Sequence, residues 1–420
     1  MQNISKPQKS FNWKPNLHHG FIATACSRIT NQLLLRQGIR LVLPILILST
    51  TLTVRAQWDI EESHTTASLR GIVNVGGGVA WASGTEGTVL RTEDGGYLWQ
   101  GCAIPPGAEK LDFRGIQAFD ENTAIVMSSG KGDLSRLYKT TDGCRTWKLL
   151  FTNPDKEGFW DAIQFTKDRN FGALLGDPVN HIFVVMLTSD GGNNWERQTL
   201  GVTEDINGES VFAASNSSLL TTRPGYRRFC TGGTGGPRVI NLGAGPSGVG
   251  EHTPGKLKWD SALYAERLRS SSQLLPSRGC FSIAEDPQGA TVAVGGDYTK
   301  PNDRQDSAWT SNFLNSAVSN EKFEFHPAVI SPHGYRSAVA YNDLDKSWIT
   351  VGPNGTDISR DGGETWRALK PTPTEPQDAD KNWNALSLPF VVGPHGRIGK
   401  LRGNAIPTAA SSKEERDKKD

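Results

Sequence analysis

The 420-residue sequence has little of what marks a helical, membrane-spanning or nucleic-acid-binding protein. It contains only 3 Met, and no long stretch keeps a helical hydrophobic period, which argues against a core of amphipathic helices. No charge of one sign prevails: 45 Lys and Arg face 44 Asp and Glu, a net charge of +1. Such a chain has no global attraction for nucleic acid or an anionic membrane. No run interleaves basic and aromatic residues in the manner of a nucleic-acid site. Cys-x-x-Cys spacing is absent, and His64, His181, His252, His326, His333 and His395 show no ligand spacing, so neither a metal nor another cofactor is expected.

Turn formers and rigid aromatics are plentiful instead: 46 Gly, 23 Pro and 12 Trp. That composition predicts many short strands joined by tight turns.

Residues 1–56 read as an export signal. Arg36 and Arg40 precede the apolar run Leu41-Val42-Leu43-Pro44-Ile45-Leu46-Ile47-Leu48, and Val54-Arg55-Ala56 suits a cleavage site. The run is too short to span a bilayer comfortably; an uncleaved anchor is the alternative. The mature chain is expected to start near Gln57, in a secreted or periplasmic setting. Export would leave Cys102, Cys144, Cys230 and Cys280 in an oxidising compartment, where three pairings exist. Cys230 and Cys280 flank one irregular region, which favours them as a pair.

One pattern recurs four times: Thr92-Glu93-Asp94-Gly95-Gly96-Tyr97-Leu98-Trp99, Thr140-Thr141-Asp142-Gly143-Cys144-Arg145-Thr146-Trp147, Thr188-Ser189-Asp190-Gly191-Gly192-Asn193-Asn194-Trp195 and Ser359-Arg360-Asp361-Gly362-Gly363-Glu364-Thr365-Trp366. This is the Asp box, or BNR-type repeat, with Cys144 in place of the second glycine of the second copy. The carboxylate can accept backbone N–H groups of the turn, the glycines permit positive φ, and the Trp buries a large ring. Asp94 to Asp142 and Asp142 to Asp190 each span 48 residues, the period of a four-stranded propeller blade. Asp190 to Asp361 spans 171, room for three repeats and an insertion.

A first-strand signal appears seven times, at Leu69-Arg70-Gly71-Ile72, Phe113-Arg114-Gly115-Ile116, Trp160-Asp161-Ala162-Ile163, Val211-Phe212-Ala213-Ala214, Phe281-Ser282-Ile283-Ala284, Tyr335-Arg336-Ser337-Ala338 and Trp383-Asn384-Ala385-Leu386. A glycine ending strand two interleaves with it, at Gly84, Gly130, Gly176, Gly232, Gly295, Gly352 and Gly393. The predicted fold is all-β, a seven-bladed β-propeller over residues 57–401, with a charged disordered tail at 402–420. Residues 235–278 read as an irregular insertion in blade four, with a degenerate outer half-blade. Asp306-Ser307-Ala308-Trp309 reads as the ghost of a box in blade five. Blade seven lacks outer strands, and the segment after Gln57 can supply one, closing the ring without a free edge.

The boxes, Gly295-Gly296-Asp297-Tyr298 and the closing Val391-Val392-Gly393-Pro394-His395-Gly396-Arg397-Ile398 resemble the photosystem II stability/assembly factor-like propellers. That group belongs with the WD40/YVTN/BNR-like and sialidase-like superfamily. The resemblance covers residues 57–401 and departs from the pattern in blade four. It implies an assembly chaperone that binds a membrane-protein partner through an arginine-rich face. Exported bacterial members are often catalogued as glycosyl hydrolases or oxidoreductases; no cofactor fingerprint here supports the second label.

Propeller geometry gathers the first strands around a channel. Their alignment predicts a mouth containing Arg70, Arg114, Asp161, Val211, Phe281, Arg336 and Asn384. The loops between strands two and three add Glu86, Asp177, Asp297, Tyr298, Asn354 and His395. Asp94, Asp142, Asp190 and Asp361 fall on the opposite face and read as structural. Two readings of the mouth compete. Either Arg114 and Asp161 form an ion pair that orders a small channel, or the guanidinium groups bind a carboxylate or phosphate. The second predicts a non-enzymatic, monomeric scaffold that recognises a protein partner, an acidic small ligand or a glycan, with a possible role at a membrane complex. The alternative is a sialidase-type glycoside hydrolase, which needs a Tyr–carboxylate pair; Tyr298 and Asp161 are its nearest substitutes. Gly232-Gly233-Thr234-Gly235-Gly236 lacks the Lys-Ser/Thr of a phosphate loop and reads as a turn. Asn216-Ser217-Ser218 and Asn354-Gly355-Thr356 fit N-glycosylation sequons.

Overall fold

A computed structural model describes residues 57–198, 208–223, 226–244, 261–270, 273–311, 324–371 and 376–403. Residues 1–56, read above as an export signal, residues 245–260 of the expected insertion and nearly all of the tail lie outside the described residues. Seven antiparallel sheets form a closed ring, each inner strand packing on those of its two neighbours. This is the seven-bladed propeller expected from the repeat.

The inner strands are Leu69–Gly76, Phe113–Ala118, Trp160–Phe165, Leu219–Arg223, Arg278–Glu285, Ala338–Asn342 and Ala385–Ser387 for blades one to seven. Second strands such as Ala124–Ser128, Thr291–Asp297 and Ser347–Gly352 are buried along their whole length. Blades stack face to face, so a middle strand is covered on both sides and reads as a continuous apolar run. Strand Trp58–Glu61 pairs with Ile398–Leu401 as the fourth strand of blade seven, so the segment after Gln57 supplies the missing outer strand. Trp58 then donates its indole N–H to Thr356 and Asp380 at 3.0 Å, tying the closure to blade six.

The four D-G turns join strands three and four and share one set of bonds. In the first, Thr92 Oγ1 donates to Asp94 at 2.8 Å, while Leu98 N–H donates to the same carboxylate and Gly96 N–H to Thr92 Oγ1, both at 3.0 Å. Asp142, Asp190 and Asp361 repeat the scheme. Thr146, through its hydroxyl and amide, draws the Asp142 carboxyl down to about 2. The second glycine of each turn also lies against the preceding blade. A Cβ on Gly96 would stand 2.8 Å from the Phe390 ring, one on Gly363 2.6 Å from Val292, and one on Gly192 would collide with Ile125. At the equivalent place Cys144 adopts φ +61° and forms a disulfide with Cys102 of blade one. A covalent bond there replaces the glycine's close contact. Cys230–Cys280 likewise joins blades four and five.

Three sequence expectations need correction. Residues 211–214 are not the inner strand of blade four, which runs later, at Leu219–Arg223. The outer half of blade four is not degenerate: Arg238–Ala244 and Ser261–Arg267 pair over seven residues. Asp306 precedes the third strand of blade five, Ala308–Ser311, so it sits in the loop between strands two and three rather than at a box position.

Candidate functional site

The inner strands of blades one, two, three and five each carry a β-bulge at the same level. Register slips between Leu69 and Gly71, Phe113 and Gly115, Trp160 and Ala162, and Cys280 and Ser282. The extra residues are Arg70, Arg114, Asp161 and Phe281. A bulge re-aims a side chain out of the alternating pattern, and all four line one cavity of about 570 Å³ at the channel mouth. Asp177, Tyr298 and Asn384 line it too.

The floor is the segment misread as a strand. Glu209–Ser210 pairs with Gly232–Gly233, and Gly232 pairs in turn with Gly279 of blade five. Buried Glu209 holds this clasp through a two-pronged ion pair with Arg238, one arm at 2.6 Å. From there residues 211–218 lie across the axis. Asn216 donates to Ile116 O at 2.6 Å and accepts from Ile163 N; Ser217 meets Ser282 at 2.7 Å, and Ser215 donates to Ser337 O. Blades two, three, five and six are thereby bridged by three short polar side chains. Asn216 and Asn354 are both engaged in such internal bonds. Phe212 stacks flat on Phe281, with centroids 4.0 Å apart and planes at 8°. Gly232 and Gly279 are obligatory there, since a Cβ on either would strike the Phe212 ring. Tyr335 packs edge-on against Phe281 at 4.8 Å, and half-exposed Tyr298 completes an aromatic wall.

The same cavity holds the charges. Arg114 pairs with Asp112 at 2.8 Å and donates to Ala213 O at 3.0 Å. The Arg114–Asp161 ion pair, one of the two readings of the mouth, is not the pairing observed: Arg114 engages Asp112 instead. Arg70 has no hydrogen bond or ion pair among the described residues, and its Nε is buried. Burial, and then the charge of Arg114, lower its pKa. Asp161 is buried with Oδ2 unpartnered. Burial first, and Asp177 second, raise its pKa well above its ordinary value. Asp177 accepts Val211 N–H at 2.9 Å, and burial lifts it to about 6. The mouth thus sets two guanidinium groups against Asp112, which Arg114 already engages, Asp177, and an Asp161 carboxyl whose charged form burial disfavours.

Five expected members, Arg336, Asp297, Glu86, Asn354 and His395, stand outside this cavity. Arg336 is fully buried within blade six, donating to Asp357 at 2.8 Å and to Asn354 at 2.5 Å, with His333 closing the network. Its strand begins at Ala338, beyond the bulge level, so the side chain turns into the blade. Asp297 is also buried, accepting from Thr299 at 2.7 Å beside Arg278. Asn384 reaches the rim but donates to Leu69 O at 2.8 Å, sealing blade seven to blade one. Glu86 and His395 are turn residues at positive φ outside the cavity lining. Among the described residues no Tyr hydroxyl of the mouth is hydrogen bonded to a carboxylate.

Asn354 and His333 line a second cavity of about 540 Å³, with Arg304, Arg367, Lys370 and Lys381. No family model and no curated protein matches the chain. Solved structures do. One, described as YCF48 bound to D1 peptide, aligns with a TM-score of 0.55 at 17% identity over 84% of this chain and 100% of that one. YCF48 from Cyanidioschyzon merolae aligns with a TM-score of 0.55 at 19% identity over 83% and 99%. The fold is that of YCF48. The seven-bladed propeller read from the boxes and the closing strand is the architecture observed. On this YCF48-type frame, sequence reasoning missed Tyr335 and the placing of Phe212. In sequence Tyr335 reads only as the start of a strand, and the signal available for Phe212 is the Gly-Gly run that makes room for it.

Proposed function

We propose that this propeller is a non-enzymatic, exported scaffold that holds a carboxylate-bearing segment of another protein at its channel mouth, in the assembly or upkeep of a membrane-associated complex. The observation that carries the reading is Arg70: a half-buried guanidinium without a partner among the described residues, set in a cup with an aromatic wall. An unmet buried donor costs about 1–3 kcal/mol, and a ligand carboxylate relieves that cost while an aromatic neighbour packs on Phe212, Phe281 and Tyr298. The YCF48 structure solved with a D1 peptide adds a precedent for peptide binding on this fold. Two inter-blade disulfides suit an oxidising compartment, which agrees with the export signal.

Calorimetric titration with N-acetyl-Gly-Phe-Asp-Gly-amide tests the reading. The Asp-to-Asn version of the peptide, and the Arg70→Met protein, should each bind about 10-fold or more weakly, the worth of one charge-assisted hydrogen bond. Equal affinity for the Asp and Asn peptides would remove the carboxylate reading.

A further inference from the structure

The second cavity begins one residue from the first. Pro353 lines the mouth, and the next residue, Asn354, lines the neighbouring hollow. Trp383 stands on the mouth side and Lys381 on the other. The hollow is framed by the fourth strand of blade six, Arg367–Leu369, and by the segment leading into blade seven. Its charge is one-sided. Arg367, Lys370 and Lys381 are exposed and have no carboxylate partner among the described residues. Arg304 is held in the wall by the carbonyls of Ser331 and Pro332, at 3.0 and 3.1 Å. The lining carboxylate is Asp380, buried and already accepting from Trp58, Thr356 and Trp383.

We infer that this basic hollow is a second subsite for the same partner, receiving acidic side chains that flank the segment held in the mouth. The inference rests on the mouth reading and extends it to the sequence around the anchor. Cavities of 540–570 Å³ measure roughly 10 Å across, and an extended chain advances about 3.3 Å per residue. Three or four residues therefore carry a peptide from one centre to the next. Three unpaired cations in a concavity attract an anionic segment more than the same cations on a flat surface would, and the attraction weakens with salt.

The test uses the full mature chain and two probes. The short probe is N-acetyl-Gly-Phe-Asp-Gly-amide; the long probes add Gly-Gly-Glu-Glu-Glu at either end. One long probe should bind about 10-fold more tightly than the short one at low salt, with the gain lost in 0.5 M NaCl. Charge reversal at all three cations, R367E/K370E/K381E, should abolish that gain and leave short-probe binding unchanged. Circular dichroism and the thermal midpoint of the variant should match wild type, since the three side chains are exposed. Long and short probes of equal affinity, or a gain that survives the triple reversal, would overturn the subsite while leaving the mouth reading standing. Loss of the Arg70 effect with retention of the triple-variant effect would do the reverse.

Discussion

At the residue scale, the mouth sets two guanidinium groups, one already paired with Asp112, against two further carboxyls, Asp161 and Asp177, whose ionisation burial opposes. Asp177 has its pKa raised from 3.8 to about 6, so protonation removes a negative charge from the cup between about pH 7 and pH 5. An acidic peptide stays ionised over that range. Its affinity should therefore rise about threefold to tenfold from pH 7.5 to 5.5, and Asp177→Asn should flatten the dependence, as read by titration at both pH values. Arg336 belongs to another kind of chemistry. It is buried with Asp357, His333 and Asn354, and removing one partner of such a pair leaves an uncompensated charge. Arg336→Met should cost about 3–5 kcal/mol in urea unfolding. Once folded, that variant should bind the short peptide as wild type does.

At the element scale, the same turn solves two problems four times. The D-G turn caps a hairpin with its carboxylate and brings a glycine against the previous blade. Cys144 shows that the contact, not the glycine as such, is what matters between blades. Its φ of +61° favours glycine by about 1 kcal/mol. In a Cys102→Ser background, Cys144→Gly should accordingly unfold about 1 kcal/mol later than Cys144→Ala, measured by chemical denaturation. These turns were legible in the sequence because their chemistry is local and repeats at a fixed spacing. Arg70, Arg114 and Asp161 were legible because each follows a large apolar residue at the start of an inner strand. Residues 211–218 were not. Their apolar Val-Phe-Ala-Ala run imitates a strand, and what holds them across the axis is hydrogen bonding to four distant blades. No local pattern encodes such partners. Arg336 was misplaced for a related reason: its strand lacks the bulge, and a bulge is a property of pairing rather than of one strand's residues.

At the scale of the whole molecule, stability is distributed between blades and across pH. Each disulfide closes a loop of 42 or 50 residues, worth about 4 kcal/mol in the chain-entropy picture. Reduction should lower the thermal midpoint markedly without changing the strand signal of the folded protein at 25 °C. Buried Asp380 is raised to about 6 and Glu266 to about 7, each by burial first. Groups raised in this way stabilise the fold below their unfolded pKa, and the benefit is lost as pH climbs through 6 to 7. The turn carboxylates run the other way: Asp142, lowered to about 2, contributes above pH 4 and loses that contribution as pH falls through 2. Together they place the stability maximum near pH 4–5, so a thermal scan at pH 5 should give a higher midpoint than one at pH 8.

The pairing of Trp58–Glu61 with Ile398–Leu401 also sets the order in which the ring can be finished. The first strand of the ring has no mate until Ile398–Leu401 has been made, and Trp383 and Asn384 take their places at the rim with that same blade. A nascent chain that stops short of residue 401 is therefore an open ring with one strand waiting. The proposed mouth takes its full lining when these two strands, far apart along the chain, have met.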